Sequence, residues 1–195
     1  MGAALLLLAA LTGPQMLFVT DDDFPFQSKL RHETGGAAVL VTVSPRGKTL
    51  DCTMIEAFGA KPIGPMICDL LRHRRFEPAR LADGTPAYSR LRMLFRFELP
   101  RKDWRMMPTI TLAPDLGMAD QQLPPGDDGK EVAVLLAVDP QGRVVDCRPN
   151  PFETNPEVGR RVCLHSAQIA APALMVEGKP VAYVIARKVR LSRGK

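Results

Sequence analysis

Residues 38–52, AVLVTVSPRGKTLDC, return at 133–147 as AVLLAVDPQGRVVDC, with eight of the fifteen positions identical at an offset of 95. Cys68 maps onto Cys163 at the same offset. After a slip of one residue, Pro78-Ala79 maps onto Pro172-Ala173, Gly84 onto Gly178 and Pro86 onto Pro180. An ordered repeat of this length reduces a 195-residue chain to two small units built on one plan. Residues 22–102 hold the first unit, 103–128 read as a linker, and 129–195 hold a second, degenerate unit.

Within the first unit, Val39 to Val43 alternates in part, Pro45-Arg46-Gly47 supplies a turn, and Lys48 to Ile55 returns. That is a β-hairpin. Pro62 suits the first turn of a helix, whose apolar positions Ile63, Met66, Ile67, Leu70 and Leu71 follow the 3.6-residue period. Arg72, His73, Arg74 and Arg75 crowd the helix end, where cations favour the dipole, and Glu77-Pro78 stops it. A long strand over 87–99 follows. It points Leu91, Met93, Phe95, Phe97 and Leu99 one way, and Arg90, Arg92, Arg96 and Glu98 the other.

The second unit repeats the plan. Asn155 and Pro156 open its helix, Val158, Val162 and Ile169 hold the apolar face, and Val181 to Leu191 forms the last strand. Arg187 stands there where Met93 does in the first copy. The expected fold is therefore α+β: two tandem small β-β-α-β domains, each a three-stranded antiparallel sheet packed by one helix and each folding by itself.

The four cysteines, Cys52, Cys68, Cys147 and Cys163, allow three pairings, and the repeated spacing favours Cys52–Cys68 and Cys147–Cys163. No Cys-x-x-Cys occurs, which disfavours a zinc ribbon or a thioredoxin-type site. Paired cysteines point to an oxidising compartment; four buried thiols in a cytosolic protein are the alternative. Ala3 to Leu11 is apolar throughout and closed by Thr12-Gly13-Pro14. Its length fits the apolar region of a secretory signal within residues 1–20, and falls short of the ~20 residues a spanning helix needs. An uncleaved anchor and a buried N-terminal helix are the other readings.

No catalytic constellation is legible. Ser44, Ser89 and Ser166 lack a Gly-x-Ser-x-Gly context, and His73 and His165 read as structural. Asp51 and Asp146 recur beside cysteines without a second carboxylate. Asp21-Asp22-Asp23 reads as an exposed tail rather than a cation site. The chain lacks a glycine-rich phosphate loop, so no cofactor and no metal are expected. A net charge of +5 with 6% aromatic residues does not make a nucleic-acid surface of Arg72 to Arg75. Trp104, the single tryptophan, is expected to cap a domain edge or to anchor a partner.

One ordered set of motifs resembles the C-terminal domain of TonB-family proteins. It consists of Val41-Thr42-Val43-Ser44-Pro45-Arg46-Gly47-Lys48, then Arg75-Phe76-Glu77-Pro78-Ala79, then Asp83-Gly84-Thr85-Pro86. Phe24-Pro25 ahead of Gly35-Gly36 is similar to that family's approach segment. The second unit departs from the pattern, with Ala171 where Phe76 stands. The resemblance implies a periplasmic binding protein that accepts a short segment of an outer-membrane receptor as an added β-strand, coupling it to an inner-membrane motor. A structural envelope module that associates with itself, as a homodimer, or with another protein, without energy transduction, is the alternative function. Strand addition needs an open sheet edge. The final strand of the first unit, Tyr88 to Leu99, is the expected site, with Arg90, Arg92, Leu94 and Arg96 as partner-binding residues whose arginines steer an acidic segment.

Overall fold

The computed structural model describes residues 11–16, 23, 26–61, 63–97 and 111–194. A two-residue strand β1 (Gln15–Met16) and a short helix α1 (Phe26–Leu30) precede β2 (Gly35–Val43), β3 (Thr49–Gly59) and helix α2 (Ile63–His73). Then come β4 (Phe76–Glu77), β5 (Ala79–Arg80) and the long β6 (Pro86–Phe97). The second half runs through β7 (Leu116–Asp120), β8 (Glu131–Val138), β9 (Val144–Pro149) and α3 (Pro156–Leu164). It closes with β10 (Leu174–Val176), β11 (Lys179–Val181) and β12 (Tyr183–Arg193). Pro62 and Trp104 lie outside the described residues, as do Glu98 and Leu99.

Both hairpins turn on a glycine in the left-handed region, Gly47 at φ 75° and Gly142 at φ 83°. A side chain is excluded twice over, by that φ and by space. A Cβ on Gly142 would stand 2.7 Å from the Ala171 carbonyl oxygen, and one on Gly47 would collide with that of Phe76. Positions 76 and 171 are repeat equivalents, so each turn packs on the same point of its own unit. Helix α2 buries Ile63, Gly64, Ile67, Cys68 and Leu71, one face at i, i+4 spacing. These residues pack on Val39, Val41 and Val43 of β2 and on Leu91, Phe95 and Phe97 of β6. Each large side chain so buried contributes about 1.5–3 kcal/mol. Helix α3 does the same with Val158 and Val162 against Val134, Leu136, Tyr183 and Ile185.

The expectation of two separate three-stranded domains is overturned at the centre of the molecule. Strands β6 and β12 pair in parallel, with Tyr88 opposite Tyr183, Ser89 opposite Val184 and Arg90 opposite Ile185. The result is one eight-stranded mixed sheet in the order β3-β2-β6-β12-β8-β9, with β5 on β6 and β7 on β12. Each unit's final strand would otherwise leave a row of unpaired backbone groups; two such strands side by side satisfy one another. Tyr88 and Tyr183 pack in the α3 cluster, whereas Leu91 and Phe95 of the same β6 belong to the α2 cluster. Successive strand residues alternate faces, so α2 and α3 lie on opposite faces of the shared sheet. That is the arrangement a two-fold axis along the seam generates. The segment 103–128 also does more than connect, because it carries β7 and places Met118 and Leu123 in the α3 cluster.

A third cluster belongs to neither unit alone. Leu11, Ala79 and Ala87 from the first half pack on Leu135, Ala137 and Val184 of the second. Thr12 exchanges backbone hydrogen bonds with Arg80 at 3.0 and 3.1 Å. Residues 1–10 lie outside the described residues, but the end of the apolar run is core, with Leu11 only 3% exposed. Leu11→Ala should therefore lower the free energy of unfolding by about 2 kcal/mol or more. A urea titration measures it, and an unchanged midpoint would show that this packing does not stabilise the fold. Of the acidic run, Asp21 and Asp22 lie outside the described residues, and the reading is corrected at Asp23 alone. The Asp23 side chain is 6% exposed and ion-paired with Arg74, so it is part of the fold rather than of a solvated tail.

Candidate binding surfaces

The shared sheet ends in two edges. Among the described residues, β3 pairs only with β2, and β9 pairs only with β8. The two edges are repeat equivalents, yet they differ in how well they are guarded. Strand β9 is six residues long, exposes Arg148 and terminates in Pro149. Short length, a cation and a proline are the usual means of blocking edge pairing. Strand β3 is eleven residues long and contains no Lys, Arg or Pro. Register shifts between Ala38 and Val39, and between Thr42 and Val43, bulge Ile55 and Leu50 out of it. Those residues are 52% and 45% exposed. Between the bulges, Asp51 to Met54 form a regular open stretch, and Asp51 and Glu56 are exposed acids.

Cys52 of β3 is bridged to Cys68 of α2 with Cα atoms 5.5 Å apart, and Cys147 of β9 to Cys163 of α3 at 5.3 Å. Both expected disulfides are present. Each staples an edge strand to the helix above it, which holds the edge in place without a second neighbouring strand.

The four residues expected to bind a partner fall on one face of β6, the face that α3 shares. Arg90 lies where β6 is paired on both sides, to β2 through Thr42 and to β12 through Ile185. Arg92, Leu94 and Arg96 lie beyond the paired stretch of β12. Past that point β6 and β12 diverge, and Asp115 fills the fork. Its carboxylate accepts the Lys188 backbone N–H at 2.7 Å and lies 3.4 Å from Arg92 and 3.5 Å from Arg187. Arg92 also donates to the Ala113 carbonyl. So Arg92 is engaged inside the protein, Leu94 is half-buried, and Arg96 is exposed. Arg187, which breaks the apolar pattern of its strand, does so to share Asp115. Neither Asp115 nor the β3 edge was legible beforehand; Arg92 and Arg187, two cations in apolar strands, were the available signal for a carboxylate at the fork.

Arg90 differs from its neighbours. It lines a cleft of about 540 Å³ together with Thr42, Leu50 and Asp51 of the first unit and Ala173 to Glu177 of the second. Its Nε is enclosed and finds no hydrogen-bond acceptor. Close by, the Tyr183 hydroxyl donates to the Pro172 carbonyl at 2.6 Å. Burial pushes the pKa of that phenol up, against the opposing pull of the Arg187 and Arg90 cations.

Among the described residues, no group of three His, Cys, Asp or Glu side chains is placed to hold a metal. No helix among the described residues is long and apolar enough to cross a membrane. Ser44 accepts the Lys48 backbone N–H, Ser89 is sealed in the seam, and His73 is exposed at the end of α2, so no serine–histidine hydrogen bond forms among the described residues. Two surfaces stand open: the β3 edge between its bulges, and the cleft beside Arg90. No family model, no curated protein and no solved structure matches the chain.

Proposed function

We propose that this chain is an exported protein-binding module that takes an extended segment of a partner protein as an added β-strand, in the manner of the TonB C-terminal domains its motifs resemble. The observation that carries this reading is the β3 edge, eleven residues long, without Lys, Arg or Pro, and regular from Asp51 to Met54 between its two bulges. Two disulfides support a periplasmic setting. A receptor segment of the outer membrane is the partner class the resemblance suggests. Asp51 and Glu56 on the edge favour a segment that carries a cation between apolar residues, by complementarity of charge.

The test uses ten-residue peptides in which Val or Thr alternates with Lys, Glu or Ser. The lysine peptide should bind and should protect amides between Asp51 and Met54 from exchange. Adjacent strand residues direct their N–H groups to opposite edges, so Thr53→Pro and Met54→Pro should separate. One removes an outward donor and abolishes capture with the fold intact, whereas the other breaks the ladder to β2. Protection that arises on β9, or on no residue of β3, overturns the assignment.

A further inference from the structure

We propose that the cleft beside Arg90 binds a short zwitterionic peptide, its carboxylate on the Arg90 guanidinium and its ammonium on Asp51. This inference does not depend on strand addition at β3. The floor of the cleft is one rung across three strands. Thr42 of β2 is paired with Arg90 of β6 on one side and with Asp51 of β3 on the other, so all three side chains share a face. A cation, a hydroxyl and an anion therefore lie in a row. With strands about 4.8 Å apart, the backbones of the two charged residues are separated by roughly 10 Å. Residues 173–177 of the second unit form the opposite wall, with Leu174, Met175 and Val176 supplying apolar surface and Glu177 a second acid.

Arg90 lacks what its neighbours have. Arg92 and Arg187 both reach Asp115, whereas Arg90 has no ion pair among the described residues; its enclosed Nε has no acceptor, as is also true of the Arg187 Nε. A buried donor without a partner is destabilising, and such a group in a folded protein calls for an explanation. A guanidinium takes a carboxylate or a phosphate in a bidentate pair. The acids of the same cleft select between them: Asp51 and Glu177 repel a dianion but receive an ammonium. The volume lies within the roughly 300–1,000 Å³ typical of small-ligand sites. An extended dipeptide spans about 7 Å between its charged ends, and the long arginine side chain closes the remaining distance. The apolar wall suits an aliphatic side chain.

L-alanyl-L-leucine is the probe, titrated by calorimetry into the full-length, disulfide-bonded chain, with amide NMR shifts to locate it. Saturable binding is expected, with shifts centred on Thr42, Asp51, Arg90 and residues 174–177. The same dipeptide as its C-terminal amide should bind at least tenfold more weakly, and so should its N-acetyl form. Arg90→Ala should weaken the parent dipeptide by a similar factor. If that variant fails to fold, the amide series on the unaltered chain decides the matter. Absence of binding, equal binding of the amide, or shifts confined to other surfaces would overturn the proposal. Inorganic phosphate binding as tightly as the dipeptide would overturn it too, because the cleft would then read a bare anion.

Discussion

Val184→Asp should unfold both halves of the protein together. Val184 is 0% exposed, opposite Ser89 of β6 on one side and Ala137 of β8 on the other. It packs in the cluster that Leu11, Ala79 and Ala87 build with Leu135 and Ala137. A carboxylate there has no cation to pair with and loses its water, at an effective cost of several kcal/mol. The contribution of the buried valine, about 1.5 kcal/mol or more, is lost as well. Set against a total stability of roughly 5–15 kcal/mol, the change is large. For a chain of this size each kcal/mol shifts the melting temperature by about 2–4 °C, so a fall of about 10 °C or more is expected by calorimetry. Amide exchange makes the sharper measurement. Protection in β2 and in β8 should fall together, because one sheet carries both. If β2 kept its protection while β8 lost it, the seam would be a contact between independent domains rather than the middle of one cooperative structure.

Removing both disulfides is the second large effect. Each bridge closes a loop with a sequence separation of 16, and a loop of that size is worth about 3 kcal/mol through the entropy of the unfolded chain. The two bridges lie on opposite faces and in separate clusters, so their contributions should add. The fourfold serine variant should lose about 6 kcal/mol, comparable with the whole stability of an ordinary domain, and should be largely unfolded at 37 °C. Urea unfolding of Cys52→Ser with Cys68→Ser, of Cys147→Ser with Cys163→Ser, and of the combined variant measures this directly. The pairs should differ in one respect. Losing Cys52–Cys68 frees β3 from α2 and should weaken peptide capture at the edge, whereas losing Cys147–Cys163 should leave capture close to that of the parent. Equal urea midpoints with and without the bridges would show that they do not stabilise the fold.

The local plan of each unit was open to reading from one end of the chain to the other. The hairpin glycines, the helix over 63–73, the last strand of the first unit and both disulfides rest on interactions that close within a few tens of residues. Turn chemistry, the 3.6 period and the equal cysteine gaps report such contacts directly. The exposed acidic tail was misjudged at Asp23 because its partner, Arg74, is 51 residues away. The open edge was placed on β6 for a related reason. An alternating strand of arginines and apolar residues reads alike whether its backbone faces water or another strand.

The amino-acid sequence by itself determined the repeated β-β-α-β pattern and the staple between each helix and its hairpin. Only the tertiary structure decided that the two copies share a sheet, that α2 and α3 cover opposite faces, and that Arg92 and Arg187 meet at Asp115 while Arg90 is left for the cleft. Hydrogen bonds between strands use backbone groups that every residue carries, so no side-chain pattern records which strand lies next to which. The parallel meeting of β6 and β12 joins residues 95 apart. Its selection came from the joint burial of side chains at the seam and the mutual satisfaction of two edges, neither of which exists until both units are formed.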